Sequence, residues 1–182
     1  ADALGKLIRG NRHLQEIYLS VNRLGDAGAT AIAAAMEINR ELKVLSLASN
    51  GIGPLGAEAL CHSLEGHPHL QFLDLGYARS TKVLGGSANQ LGDTGAKFVA
   101  ALIRSNPSLL HLDIRKNGMG IRGLKSIAEA LHDNHQILEL IHDNIRVPWL
   151  KRDIQEKLVR NRAGKAMPIV PADVQAIKSV YR

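Results

Sequence analysis

Two stretches of this chain carry the glycine spacing of a dinucleotide cradle. Gly51-x-Gly53-x-x-Gly56 and Gly118-x-Gly120-x-x-Gly123 each follow a short apolar run and open a helical pattern, and Asp74 lies downstream of the first. In such a cradle the backbone N–H groups at a helix start hold an anion. The equivalent turn elsewhere in the chain reads Arg23-Leu-Gly-Asp-Ala-Gly28, which keeps the turn but lacks the fingerprint. The glycines are therefore expected to serve a recurring tight turn and not a nucleotide.

The other residue types with chemical potential are scattered. His67-x-His69 and His132-x-x-His135 have no carboxylate or thiolate at ligand spacing, so both pairs are expected to be solvated turn residues and no metal is expected. The one cysteine, Cys61, falls where sibling segments have alanine, which suits a small core residue better than a nucleophile. Neither a nucleophile elbow, nor a phosphate-binding loop, nor a pair of carboxylates set for acid–base work is present. The sequence thus argues against an enzyme, a cofactor or a small-molecule substrate.

What positions these residues is a period of 28. The frame L-x-x-L-x-L-x-x-N occurs as Leu14, Ile17, Leu19 and Asn22, and returns 28 residues later as Leu42, Leu45, Leu47 and Asn50. It continues at Leu70, Leu73 and Leu75, at Leu109, Leu112, Ile114 and Asn117, and more loosely at Ile137 and Leu140. A repeat of this length and pattern marks an α/β leucine-rich-repeat solenoid. In each unit the alternating run reads as a short strand, and the asparagine is placed to bond the backbone of neighbouring turns.

The helices that follow share one register. Ala29, Ala57, Ala96 and Leu124 coincide, as do Ile32, Leu60, Val99 and Ile127, giving each helix a buried face. Asp26 and Asp93 are predicted to cap the starts of their own helices. Asn11, Asn39, Asn106 and Asn134 recur at helix ends, where a left-handed cap is expected. In this register the chain opens inside a helix, which suggests a piece of a longer repeat protein.

The repeat frame decays after Leu140, where His142 takes the place of a third leucine. This predicts two regions. Residues 1–145 form the array of about five repeats, and 146–182 form a capping helix with inner positions Trp149, Ile154 and Leu158, followed by a basic tail. All of the chain's net charge of +6 resides in 146–182, which hold nine Lys and Arg against three Asp and Glu. A solvated cap accounts for this charge, with nucleic acid or a membrane surface as the alternative partner. A single cysteine, with no signal peptide or transmembrane run, points to a reducing compartment and a cytoplasmic protein, and a monomer is the separate expectation for its assembly.

The residues between the ladder positions are expected to line the concave side. They are Glu16, Tyr18 and Ser20; Val44, Ser46 and Ala48; Phe72, Asp74 and Gly76; His111, Asp113 and Arg115; and Glu139, Ile141 and Asp143. Tyr18 and Phe72 are predicted to be exposed anchors. The acids predict a partner with basic and apolar features. The third unit is 11 residues longer than its siblings, and the excess falls within 76–88. This is expected to be a tolerated rim loop that contributes Tyr77, Arg79 and Lys82 to binding.

Asn22-Arg-Leu-Gly-Asp-Ala-Gly-Ala29 and Asn89-Gln-Leu-Gly-Asp-Thr-Gly-Ala96, each ahead of an apolar helix, closely resemble the ribonuclease-inhibitor type of leucine-rich repeat. That type is shared by ribonuclease inhibitor, the activating protein of the Ran GTPase, NOD-like receptors and the C-terminal domain of tropomodulin. The resemblance implies a curved stack with strands inside and helices outside, and a protein-binding role. A regulator of a small GTPase or of actin is the variant it allows. The short array and terminal helix look most like the tropomodulin arrangement.

Overall fold

In the computed structural model, which describes residues 2–166, each 28-residue unit is one strand and one helix. The order is α1 (Asp2–Gly10), β1 (Glu16–Tyr18), α2 (Gly25–Met36), β2 (Val44–Ser46), α3 (Pro54–Leu64), β3 (Phe72–Asp74), a 3-10 turn at Arg79–Thr81, α4 (Gly92–Ser105), β4 (His111–Asp113), α5 (Ile121–Asp133), β5 (Glu139–Ile141) and α6 (Pro148–Arg162). The strands form one parallel sheet in the order β1-β2-β3-β4-β5. Its register repeats the sequence period, with Ile17 opposite Leu45, Leu45 opposite Leu73, Leu73 opposite Leu112 and Leu112 opposite Leu140.

The main core lies between the sheet and the helices. Leu45, Leu47, Leu73, Leu75, Leu112 and Ile114 supply it from the strand side, and Ile32, Leu60, Val99 and Ile127 from the helix side. Cys61 is buried among them, and burial, reinforced by Glu65, pushes its thiol up to about 12. A thiol held protonated is a poor nucleophile.

Two ladders of polar side chains bind the units together. In the first, Asn50 Oδ1 accepts from the N–H of Asn22 at 2.9 Å, and Asn89 Oδ1 accepts from the N–H of Asn50 at 2.9 Å. The second replaces the expected left-handed caps. Asn106 and Asn134 have extended backbones, and their amides bond neighbouring chain segments instead. Asn39 Nδ2 donates to Ile8 and Asn11 carbonyls, and its Oδ1 accepts from Glu41 and Leu42.

His67 holds the equivalent place in the third unit and is fully buried, contrary to the expected solvated turn. Its Nδ1 accepts from the N–H of Leu70 at 3.2 Å, so Nε2 carries the hydrogen and donates to Asn39 O at 2.9 Å. A neutral imidazole thus reproduces the donor–acceptor pair of an asparagine amide. Burial is the main cause that lowers its pKa.

The aspartates also act differently from expectation. Asp26 sits in the first turn of α2, but its Oδ1 accepts from Gly53 N at 2.6 Å and Gly56 N at 2.9 Å, at the start of α3. Asp93 does the same for Gly120 and Gly123 at the start of α5, at 2.6 and 3.0 Å. A helix N-terminus with free N–H groups draws an anion, and here the preceding unit delivers it.

At the far end, α6 covers the last unit with Leu150, Ile154 and Leu158, while Trp149 is 56% exposed and not an inner residue. Asn161 Nδ2 continues the second ladder, donating to the carbonyls of Asn134 and Ile137. Several cations of this segment bond carbonyls rather than standing in solvent. Arg160 reaches those of Leu131 and His132 in the last turn of α5 and of Asn134 just past it, and Lys157 reaches Ala128 O. Positive charge at a helix C-terminus is favourable there.

Candidate partner-binding surface

The strands leave two aligned columns on the face opposite the helices. One runs Glu16, Val44, Phe72, His111, Glu139, and the other Tyr18, Ser46, Asp74, Asp113, Ile141. Ser20, Ala48, Gly76, Arg115 and Asp143 follow two residues beyond the second column. The structure thus brings all the strand residues expected on the concave side onto one face.

It does not make that face uniformly exposed. Phe72 retains only 3% of its exposure, and Val44, Ser46, His111 and Asp113 are also buried. Phe72 stacks on His111 with ring centroids 4.2 Å apart and planes 12° from parallel. Val44, Phe72 and Tyr18 form a second, smaller apolar cluster on this side. Tyr18 is half-buried, and its hydroxyl donates to Glu16 at 2.7 Å. The expectation of two exposed aromatic anchors is therefore corrected. Phe72 is a packed residue, and the accessible positions are the two ends of the columns, from Glu16 to Glu139 and Asp143.

A hydrogen-bonded line crosses the middle of the face. Ser20 Oγ lies 2.9 Å from Ser46 Oγ, which donates to Asp74 Oδ2 at 3.1 Å. Asp113 is held by Arg115, whose Nε donates to both carboxylate oxygens at 3.0 Å. That hydrogen bonding is the largest cause raising the Arg115 pKa, with burial opposing it. Gly76 makes room for the pair, because a Cβ there would collide with the Asp113 carboxylate. Asp143 accepts from the N–H of Lys116 at 2.8 Å at the margin.

The inserted segment is not a free rim loop. It folds back over the turns of the first two units. Ala78 N donates to Ser49 Oγ at 2.9 Å, Thr81 Oγ1 lies 2.6 Å from the same oxygen, and Gly51 N donates to Ser87 O at 3.0 Å. Arg23 Nη2 bonds Gly85 O at 2.9 Å. Ser80 and Thr81 are buried, Arg79 and Lys82 are exposed, and Tyr77 is half-buried. The tip instead presents two apolar residues that sequence reasoning passed over, Val83 at 87% exposure and Leu84 beside it. Their signal was available, since two adjacent aliphatics in a glycine-bounded insertion have no ladder to join.

The glycine motifs hold an anion, but it belongs to the chain. Asp26 and Asp93 occupy the helix starts where a phosphate would sit, and a Cβ on Gly56 or Gly123 would lie 2.6 Å from the carboxylate oxygen. Among the described residues no group of three or more His, Cys, Asp or Glu is placed to hold a metal ion. No helix among them is long and apolar enough to cross a membrane.

The sequence matches the Leucine Rich repeat family over residues 10–33, 39–61 and 105–128. No curated protein sequence matches the chain. Among solved structures, it is similar to leiomodin-1 actin-binding site 2, with a TM-score of 0.73 and 16% identity over 98% of this chain and 93% of that one. It is also similar to the tropomodulin C-terminal domain of Caenorhabditis elegans, with a TM-score of 0.69 and 15% identity over 99% and 98% of the two chains.

Proposed function

We propose that this chain, which is a leucine-rich-repeat protein, binds another protein along the concave face of its sheet and at the Val83–Leu84 tip, without catalysing a reaction. The observation that carries this reading is the alignment of five strands into shared columns that end in acidic margins, Glu16 at one side and Glu139 and Asp143 at the other. Aligned side chains on a rigid repeat make an extended surface of fixed spacing. Its acidic margins favour a partner with basic groups, and the exposed valine and leucine favour one with apolar groups. In this reading residues 1–145 are the binding array and 146–182 the cap and tail, and the single buried thiol suits a reducing compartment such as the cytoplasm.

The test is affinity capture with the full chain, repeated with Glu16→Lys and Asp143→Lys together. The reading expects a captured partner to be lost from the charge-reversed chain, which should still fold and melt cooperatively although it loses the bonds to Tyr18 and Lys116. Capture that survives both substitutions would remove the concave face from the reading. A second reading is favoured by one comparison, since the leiomodin-1 neighbour is described as an actin-binding site. Co-sedimentation with filamentous actin decides it, and a chain that stays in the supernatant excludes it.

A further inference from the structure

The helix layer carries a groove that the repeat pattern does not account for. It lies between α3 and α4 and holds about 340 Å³. Ala59, Cys61 and Ala101 line its floor, the partly buried Phe98 stands on the α4 side, and the exposed Glu58 and Glu65 form the lip on the α3 side. In the repeat register Phe98 falls where Ala31, Ala59 and Ser126 stand in sibling helices, so an aromatic ring takes a place otherwise given to a small side chain. Among α1 to α5, only α3 has an acid at both lip positions. The matching pairs are Asp2 and Arg9, Thr30 and Glu37, Lys97 and Arg104, and Lys125 and His132.

The acids of this lip are not neutralised from within the chain. Among the described residues Glu58 has no ion pair, and Glu65 has only the exposed His62, at 3.8 Å. Lys97 and Arg104 of α4 pair with neither carboxylate and do not line the groove. The negative field reaches the floor, where burial first and Glu65 second raise the Cys61 pKa. An apolar trough with acids along its lip suits a side chain that is apolar along its stem and cationic at its end, which describes lysine and arginine. The Phe98 ring attracts a cation lying over its face, and the carboxylates accept the N–H groups of a guanidinium. Glu58 and Glu65 are seven residues apart on one helix, about 10 Å along its axis, so one cation serves one carboxylate and both need two.

We propose that this groove is a second docking site, which takes a helical segment of a protein partner bearing two basic residues seven positions apart. The segment lies along α3. Its basic stems rest on Ala59, Phe98 and Ala101, and its two cations meet Glu58 and Glu65. The charge of the lip selects this occupant, since nucleic acid and anionic membrane are repelled by the same carboxylates. The site is built from helices and the concave face from strands, so the two surfaces engage partners independently. The proposal goes beyond the concave-face reading and does not rest on it.

The test uses the full chain and fluorescence anisotropy of a labelled, alanine-based helical peptide with two arginines seven residues apart. Glu58→Gln with Glu65→Gln should weaken its binding at least tenfold, with the melting temperature unchanged because both side chains are exposed. Glu37→Gln with Glu129→Gln removes the same charge from exposed positions elsewhere on the helix layer and should leave binding within twofold. A tenfold loss confined to the groove pair supports the proposal. It is overturned if the peptide does not bind the unaltered chain, or if the control pair weakens binding as much as the groove pair. It is also overturned if arginines five residues apart, which lie on different faces of the peptide helix, bind as tightly. Putrescine that displaces the peptide at equal concentration would overturn it in favour of a free polyamine. None of these variants touches Glu16 or Asp143, so failure here leaves the concave-face reading standing, and the converse also holds.

Discussion

Asp26 sets one carboxylate oxygen 2.9 Å from the backbone N–H of Gly56, one unit further along the array. The same oxygen bonds Gly53, so a single side chain caps a helix it does not belong to. Removing an N-terminal cap costs about 1 kcal/mol, and up to about 2. Asp26→Ala and Asp93→Ala should each lower the free energy of unfolding by that amount in urea. Gly56→Ala should cost more, about 1–3 kcal/mol by overpacking, because its Cβ would meet Asp26, Ala29 and Ile52 within 3 Å. A Gly56→Ala chain as stable as the parent would contradict the geometry.

His67 should make stability depend on pH in a definite direction. Its folded pKa is lowered from 6.5 by burial, so the unfolded chain binds more protons in mildly acidic solution. The contribution is complete above pH 6.5 and is lost as pH falls from 6.5 through the folded value. His67→Asn restores the side chain that sibling units use and has no proton to take up. The difference between the two stability curves should be flat above neutrality and should widen below pH 6.5. Parallel curves down to pH 5 would show that the imidazole is not held neutral.

The insertion should be structural at its base and functional at its tip. Thr81→Ala removes the contact with Ser49 and should cost about 1 kcal/mol, whereas Val83→Asp with Leu84→Asp should leave the melting temperature unchanged. The aspartate pair should weaken partner capture. Deletion of 77–87 should lower the melting temperature by several degrees, because Gly51, Ser49 and Arg23 all lose bonds to it.

Phe72→Ala should destabilise the domain by about 3 kcal/mol or more, as expected for truncation of a buried phenylalanine, since it also removes the stack on His111. A loss of binding in that variant would therefore be uninformative by itself. Thermal denaturation distinguishes the cases, and a chain that melts like the parent would mean that Phe72 is not packed.

The period of leucines made the strands, their order and their inward faces readable, because a parallel ladder leaves each buried position one choice of face. The concave residues were legible for the same reason. Their burial was not, since alternation tells which side a residue takes and not what covers it. The caps were misread at Asp26 because sequence logic looks for a partner within one helix, while the partner lies in the next unit. The asparagines at helix ends were misread likewise, their amides reaching sideways across the stack. His67 reads from sequence as a solvated turn residue because only its position, and not its residue type, betrays the kinship with Asn39 and Asn106.

The crossed capping has a consequence for how such an array can grow or shrink. Units that carry an aspartate alternate with units whose glycine-bounded starts receive it, at Asp26 with Gly53 and at Asp93 with Gly120. Excising one unit would orphan a giver from its receiver, whereas excising a giver and its receiver together would leave every remaining junction matched. Two neighbouring repeats, and not one, thus make the smallest self-contained capping set in this array.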